Sequence, residues 1–118
     1  MNVTHYEQNK LCIISFEGNL TNSTVGVCNE YLRPILADME KKKQIAGLLM
    51  NLSKVNLIDS AGIGFICAKF VRMKKQGKKF GLCNLKETLK TTFSMTGLDS
   101  NITIYSTTME GLHHMGIS

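Results

Sequence analysis

Among the side chains that could do chemistry, Ser60 has the most suggestive surroundings. Asp59 precedes it, Gly62 and Gly64 follow it, and Asp59-Ser-Ala-Gly-Ile-Gly64 opens a stretch of apolar periodicity. Ile63, Ile66, Cys67, Phe70, Val71 and Met73 recur at three- and four-residue steps, which predicts an amphipathic helix that starts at Ser60 and stops at Gly77. A hydroxyl at such an opening can accept one of the four first-turn N–H groups that lack an intrahelical partner, and Asp59 can do the same. The two glycines leave that turn without side-chain bulk, so a second molecule can come close to the backbone around Ser60. Residue types alone leave two roles open, a helix cap or a serine displayed for reaction.

Other chemistries find little support. A hydrolase built on Ser60 needs a histidine base close by, but His5 begins the chain and His113 and His114 end it. A serine-directed acylating probe is therefore expected to leave Ser60 unlabelled, and no catalytic residue is assigned. Neighbouring histidines on a helix point about 100° apart, and no third ligand at metal-site spacing accompanies His113-His114, so no metal is expected. Gly62-Ile-Gly64 is only a fragment of a dinucleotide fingerprint and no Walker loop occurs, so neither ATP nor any other cofactor is expected to be bound by this chain alone. Cys12, Cys28, Cys67 and Cys83 are widely spaced within or beside apolar runs, which predicts reduced, buried thiols.

The elements that must position Ser60 are readable around it. Ile45-Ala-Gly-Leu-Leu-Met-Asn51 is a nearly continuous apolar run, as in a parallel strand covered on both faces. Before it, Thr4–Gln8 and Leu11–Glu17 predict a hairpin about an Asn9-Lys10 turn. Thr21, Asn22 or Ser23 can cap the next helix, whose apolar face is Val25, Cys28, Leu32, Ile35, Leu36 and Met39. Pro34 predicts a kink or a fresh helical start near Arg33, since inside a helix it costs about 3 kcal/mol. After the Ser60 helix come a strand at Lys79–Leu85, a short helix marked by Leu85, Leu89, Phe93 and Met95 and ending at Gly97, a strand at Ile102–Ser106, and a final helix capped by Thr107 or Thr108 and containing Met109, Leu112 and Met115. Strand and helix thus alternate after the hairpin, which implies an α/β fold: a mixed, mostly parallel sheet with an antiparallel edge hairpin and about four helices packed against it.

The 118 residues fit one compact domain spanning 1–118, and 43% hydrophobic with 19% charged residues is an ordinary globular composition. No apolar run approaches the roughly 20 residues needed to span a bilayer and the first ten residues lack the apolar middle of a secretion signal, so no membrane is expected and the chain is expected in the cytoplasm. The net charge of +5 resides largely in Lys41–Lys43 and in Arg72, Lys74, Lys75, Lys78 and Lys79, at predicted helix ends where cations complement the dipole. Without interleaved aromatics or a nucleic-acid motif, these lysines predict solvated helix ends and no direct nucleic-acid contact.

Three segments carry a resemblance. Asp59-Ser-Ala-Gly-Ile-Gly64, following Leu48–Ser53, is similar to the signature Asp-Ser-Ser/Ala-Gly-Leu/Ile-Gly of the anti-sigma-factor antagonists, bacterial members of the STAS domain family. Cys12–Leu20 resembles that family's second strand, and Phe93-Ser-Met-Thr-Gly-Leu98 its Phe-x-x-x-Gly-Leu segment. The resemblance implies that Ser60 receives a phosphate from an anti-sigma factor that is also a serine kinase. It further implies that the unphosphorylated protein binds that kinase and so frees a sigma factor, and that a PP2C-type phosphatase resets the cycle. Asp59, Ala61, Gly62, Ile63, Asn19 and Thr21 are the implied flanking and partner-binding residues. At one point the sequence departs from the pattern: the family's strand usually ends Gly-Glu-Leu/Ile-Asp, whereas here it ends Gly18-Asn19-Leu20-Thr21, so an acid expected near the serine is missing. The alternative is a constitutive STAS scaffold, or a subunit of a larger signalling or transport assembly, in which Ser60 is only a cap.

Overall fold

The structure, a computed structural model, describes residues 1–116. Five strands form one sheet in sequence order: β1 (Asn2–Gln8), β2 (Leu11–Glu17), β3 (Gly47–Lys54), β4 (Lys79–Cys83) and β5 (Thr103–Tyr105). β1 and β2 are antiparallel and every later pair is parallel, as the alternation of elements predicts. The hairpin turns on Asn9 and Lys10, whose φ values of 52° and 64° are those of a two-residue turn matched to strand twist.

Four helices complete the fold: α1 (Val25–Lys41), α2 (Ser60–Lys75), α3 (Glu87–Thr96) and α4 (Thr108–Met115). α1, α2 and α3 share one face of the sheet. Their buried residues, among them Cys28, Leu32, Leu36, Phe65, Ile66, Met73, Leu89 and Phe93, join Cys12, Ile14, Phe16, Leu48, Met50, Leu52 and Leu82 in the main core. The alternate strand residues point the other way. There Leu11, Ile13, Leu49 and Cys83 meet Leu112 and Met115 of α4, with Tyr105 alongside, as a second, smaller cluster. Helices on both faces explain why Leu48, Leu49 and Met50 are consecutive, apolar and fully buried.

Several local expectations need correction. α1 runs unbroken through Pro34, and it begins after Thr24, whose hydroxyl donates 2.6 Å to the Asn19 carbonyl; Thr21, Asn22 and Ser23 do not cap it by side chain. β1 starts two residues earlier than the alternation of its side chains indicates. Val71, Met95 and Met109 are exposed where helical periodicity predicts core, and Cys67 is partly exposed while the other three thiols are buried. Of the cations expected at solvated helix ends, Lys41 lies in the last turn of α1 and Arg72, Lys74 and Lys75 in that of α2, whereas Lys78 is half-buried and donates to the Lys42 and Ile45 carbonyls and Lys79 opens β4. Gly77, at φ +69°, ends α2 by donating to the Lys74 carbonyl while the Lys78 amide reaches Met73.

Between α1 and α2, Arg72 holds Glu40 in a two-pronged ion pair at 2.5 and 2.8 Å, which keeps the Glu40 carboxyl below the usual range. Nearer the opening of α2, Lys69 is buried and, among the described residues, has no carboxylate partner. Its ammonium donates 2.6 Å to Asn29 Oδ1 and stands 4.7 Å from the centre of the Phe65 ring.

Candidate functional site

Ser60 lies where β3 has ended and α2 begins, beside the loop that joins β2 to α1. The two loops are zipped together by backbone. Leu20 donates to the Leu57 carbonyl at 3.0 Å, Asp59 donates to the Leu20 carbonyl at 3.2 Å, and Leu20 and Ile58 form an isolated parallel bridge. Asn19 adds a side-chain tie, its Oδ1 accepting the Leu57 amide at 3.1 Å. That register turns Ile58 into the core and leaves Leu57 out in solvent.

Asp59 is the side chain that fixes the opening of α2. One carboxylate oxygen accepts the Gly62 amide at 3.0 Å and so caps the helix; the other accepts the Asn22 amide at 3.0 Å and so holds the neighbouring loop. These bonds, Asn22 first and Gly62 next, keep the Asp59 carboxyl below its ordinary value. Ser60 is therefore not the cap. It occupies the first helical position, exposed, with its hydroxyl released from the capping role that residue types alone allow it.

Gly62 is required by packing. A Cβ there would come 2.1 Å from the Leu20 carbonyl oxygen and 2.7 Å from Ile58 Cγ2, so only hydrogen lets α2 press against the β2–α1 loop. A Cβ on Gly64 would meet nothing within 4 Å, and its side of the helix is open. Ala61 is half-buried and Ile63 packs on the edge of the main core. Thr21, at the position of the missing acid, is half-buried; its amide donates to Thr24 Oγ1 at 3.0 Å and its carbonyl accepts the amides of Thr24 and Val25. Asn19 and Thr21 thus reach the site through backbone and loop ties, and no carboxylate replaces the absent one at either position.

Two features of the site have only a weak sequence signal. The Asn22 amide is invisible in a sequence because any residue supplies one. The exposed ridge that continues from Ser60 along α2, through Gly64, Cys67 and Val71, follows from steps of four, seven and eleven residues, but apolar periodicity assigns part of it to the core. Among the described residues there is no group of three or more His, Cys, Asp or Glu that could hold a metal, and no helix is long and apolar enough to cross a membrane. His113 and His114 are both exposed in the last turn of α4.

Comparison with known proteins places this geometry. The model of the STAS domain matches residues 2–111. The anti-sigma-B factor antagonist of Bacillus subtilis is 33% identical over 90 residues, covering 75% of this chain and 83% of that protein. Among solved structures, an anti-sigma factor antagonist from Mycobacterium paratuberculosis superposes with a TM-score of 0.80 at 20% identity, covering 97% of this chain and 94% of that one. The Bacillus cell fate determinant SpoIIAA in its phosphorylated form gives a TM-score of 0.69 at 17% identity, covering 96% of this chain and 98% of the other. A family match over nearly the whole length means that the chain belongs to the STAS domain family, with sequence kinship to an anti-sigma factor antagonist.

Proposed function

We propose that the protein is an anti-sigma-factor antagonist whose partner binding is switched by phosphorylation of Ser60. The observation that carries this reading is the division of labour at the opening of α2, where Asp59 caps the helix and leaves the adjacent Ser60 hydroxyl exposed. A serine freed from structural duty can be modified without dismantling its surroundings.

In the forward step a serine kinase transfers the γ-phosphoryl group of ATP to Ser60 Oγ. The hydroxyl loses its proton, the bond between the γ-phosphorus and its bridging oxygen breaks, and ADP leaves. ATP and its metal belong to the kinase, and this chain supplies only the acceptor. A PP2C-type phosphatase reverses the modification by hydrolysis. The product carries about −1.5 to −2 charges at neutral pH, and the free N–H groups and dipole at a helix N-terminus favour an anion of that kind. The domain therefore stays folded.

What changes is the surface. Unmodified, Ser60 begins a low ridge of Gly64, Cys67 and Val71, with exposed Leu57 close by on the β3–α2 loop. Small and apolar groups there let a partner's backbone approach, and burying them contributes binding free energy. A dianion at the head of the ridge, next to the Asp59 carboxylate, must be stripped of water on docking, and the complex is lost. The partner in this reading is an anti-sigma factor with kinase activity, and the exchange takes place in the cytoplasm without direct contact to nucleic acid or membrane. The domain itself catalyses nothing.

The test uses the kinase from the same cells with wild type, Ser60→Ala and Ser60→Asp. Phosphate is expected on wild type and absent from Ser60→Ala, while Ser60→Ala binds like wild type and Ser60→Asp binds at least tenfold more weakly. Equal affinity of Ser60→Asp and wild type sinks the switch. Intact mass of the protein from its own cells separates this reading from a constitutive scaffold, which carries no phosphorylated fraction under any growth condition.

A further inference from the structure

The free edge formed by β1 points to an interaction surface away from Ser60. The sheet has two edges, β1 and β5. β5 is three residues long, too short to template much pairing. β1 is seven residues long, and its register against β2 runs without a shift from Asn2↔Glu17 to Gln8↔Leu11. Long edges are usually blunted by proline, a bulge or lysine. Asn2-Val-Thr-His-Tyr-Glu-Gln8 contains none of these, and its one carboxylate, Glu7, is tied at 3.3 Å to Lys42, the residue that follows α1.

Which backbone groups face outward follows from the hairpin. The residues flanking a two-residue turn exchange both hydrogen bonds, and pairs of that kind then alternate along the ladder. Gln8, Tyr6, Thr4 and Asn2 are therefore bonded to Leu11, Ile13, Ser15 and Glu17. Val3, His5 and Glu7 turn their N–H and C=O groups away from the sheet. These three positions are evenly spaced and centred on His5.

We propose that β1 pairs antiparallel with β1 of a second copy of this chain about a two-fold axis through His5. His5 then faces His5, and Val3 of each copy faces Glu7 of the other, so that about six backbone hydrogen bonds satisfy every outward group. The side chains agree with that register. On the α1 face Glu7 stands opposite neutral Val3 and diagonal to His5, so no like charges are opposed along the strand. On the α4 face Tyr6, which is 46% exposed in the single chain, lies opposite Thr4 of the second copy, an aromatic with a β-branched partner. The result is a continuous ten-stranded sheet. Ser60 follows β3, two strands in from the seam, and remains open in both copies, so the proposal stands or falls independently of the switch.

A single strand pair buries less than the roughly 1,000 Å² of a stable interface, so the association is weak and concentration-dependent. Sedimentation equilibrium between about 10 μM and 1 mM is expected to show an average mass rising from 13.1 kDa towards twice that value. Amide hydrogen exchange over the same range is expected to slow several-fold at Val3, His5 and Glu7 and to stay constant at Thr4 and Tyr6. His5→Pro removes an outward donor that β2 does not use, and it is expected to weaken self-association at least tenfold with the circular dichroism unchanged. A monomer at every concentration overturns the proposal, as does dimerisation of His5→Pro at wild-type strength. Should His5→Pro fail to fold, the residue-by-residue exchange pattern of the wild type decides: concentration-independent exchange at the three outward amides overturns it.

Discussion

The Asp59 carboxylate accepts the Asn22 amide at 3.0 Å while it also accepts the Gly62 amide at 3.0 Å, so a single side chain both starts α2 and fastens the loop that begins α1. The conformation around Ser60 is set by this bridge.

Replacing Asp59 separates the two functions. Asn keeps one acceptor oxygen and can serve Gly62 or Asn22 but not both, whereas Ala serves neither. The melting temperature is expected to fall in the order wild type, Asp59→Asn, Asp59→Ala, as differential scanning calorimetry would read it. The pH dependence follows from the lowered folded value of this carboxyl. Its stabilisation is present at neutral pH, above the unfolded value, and is lost as pH falls through the ordinary aspartate range and past the lower folded one. The gap between wild type and Asp59→Ala should therefore close in acid. A gap that widens in acid would show that the carboxylate is not the stabilising form.

Two glycines of one helical turn should respond in opposite directions to the same substitution. Gly62→Ala drives a methyl into the Leu20 carbonyl and Ile58, and is expected to cost about 1–3 kcal/mol. Gly64→Ala meets open space in a helix and is expected to gain about 0.5–1 kcal/mol. Urea denaturation measures both. In the proposed function, Gly64→Arg keeps the fold but blocks the ridge, so partner affinity drops while stability holds.

Lys69 keeps a charge in the interior with an amide oxygen and an aromatic face in place of a carboxylate. Burial, and after it the nearby Arg72, lowers the pKa of its ammonium. Lys69→Met preserves most of the volume without the charge and is expected to leave stability within about 1 kcal/mol of wild type or above it. For a base whose folded value is lowered, the cost is present at neutral pH and is relieved as pH rises through that value towards the ordinary lysine range. The advantage of Lys69→Met should accordingly shrink in alkali, as paired urea titrations at neutral and alkaline pH would read it.

The cysteines offer a map of exposure. Burial, with Glu7 adding to it, raises the Cys12 thiol to about 11, and burial also raises Cys28 and Cys83. Cys67 is the partly exposed one. An aromatic disulfide reagent at mildly alkaline pH should modify Cys67 rapidly and the other three only as the domain opens, as peptide mass mapping would resolve. Fast modification at Cys12 would contradict the packing of β2 against α1.

The architecture is legible in the sequence because two periodicities alternate cleanly, and because the short apolar run through Leu48, Leu49 and Met50 suits a strand covered on both sides. The location of the site is legible for the same reason, since the apolar strand run and the helical periodicity that follows it bracket Asp59 and Ser60 between them. The cap is ambiguous: serine and aspartate both cap helices, and the choice between Ser60 and Asp59 depends on an amide 37 positions away. Periodicity also overextends the core. Val71, Met95 and Met109 are apolar yet stand exposed on their helices, and a pattern of apolar residues does not record which faces another element covers. Pro34 stands in solvent in the middle of α1, where its neighbours hold the helix through a residue that opposes it.

The lopsided layering has a consequence for how the molecule comes apart. Among the described residues α4 alone covers its side of the sheet, where its Leu112 and Met115 close on four buried strand residues in a cluster that shares no side chain with the principal one. Cooperative opening follows contiguous packing, so this helix can lift as its own unit while the other three helices stay packed on the sheet. Mild heating should then uncover Leu49 and Cys83 well before Cys28, and a thiol probe would sense the detachment of α4 before any loss of sheet signal.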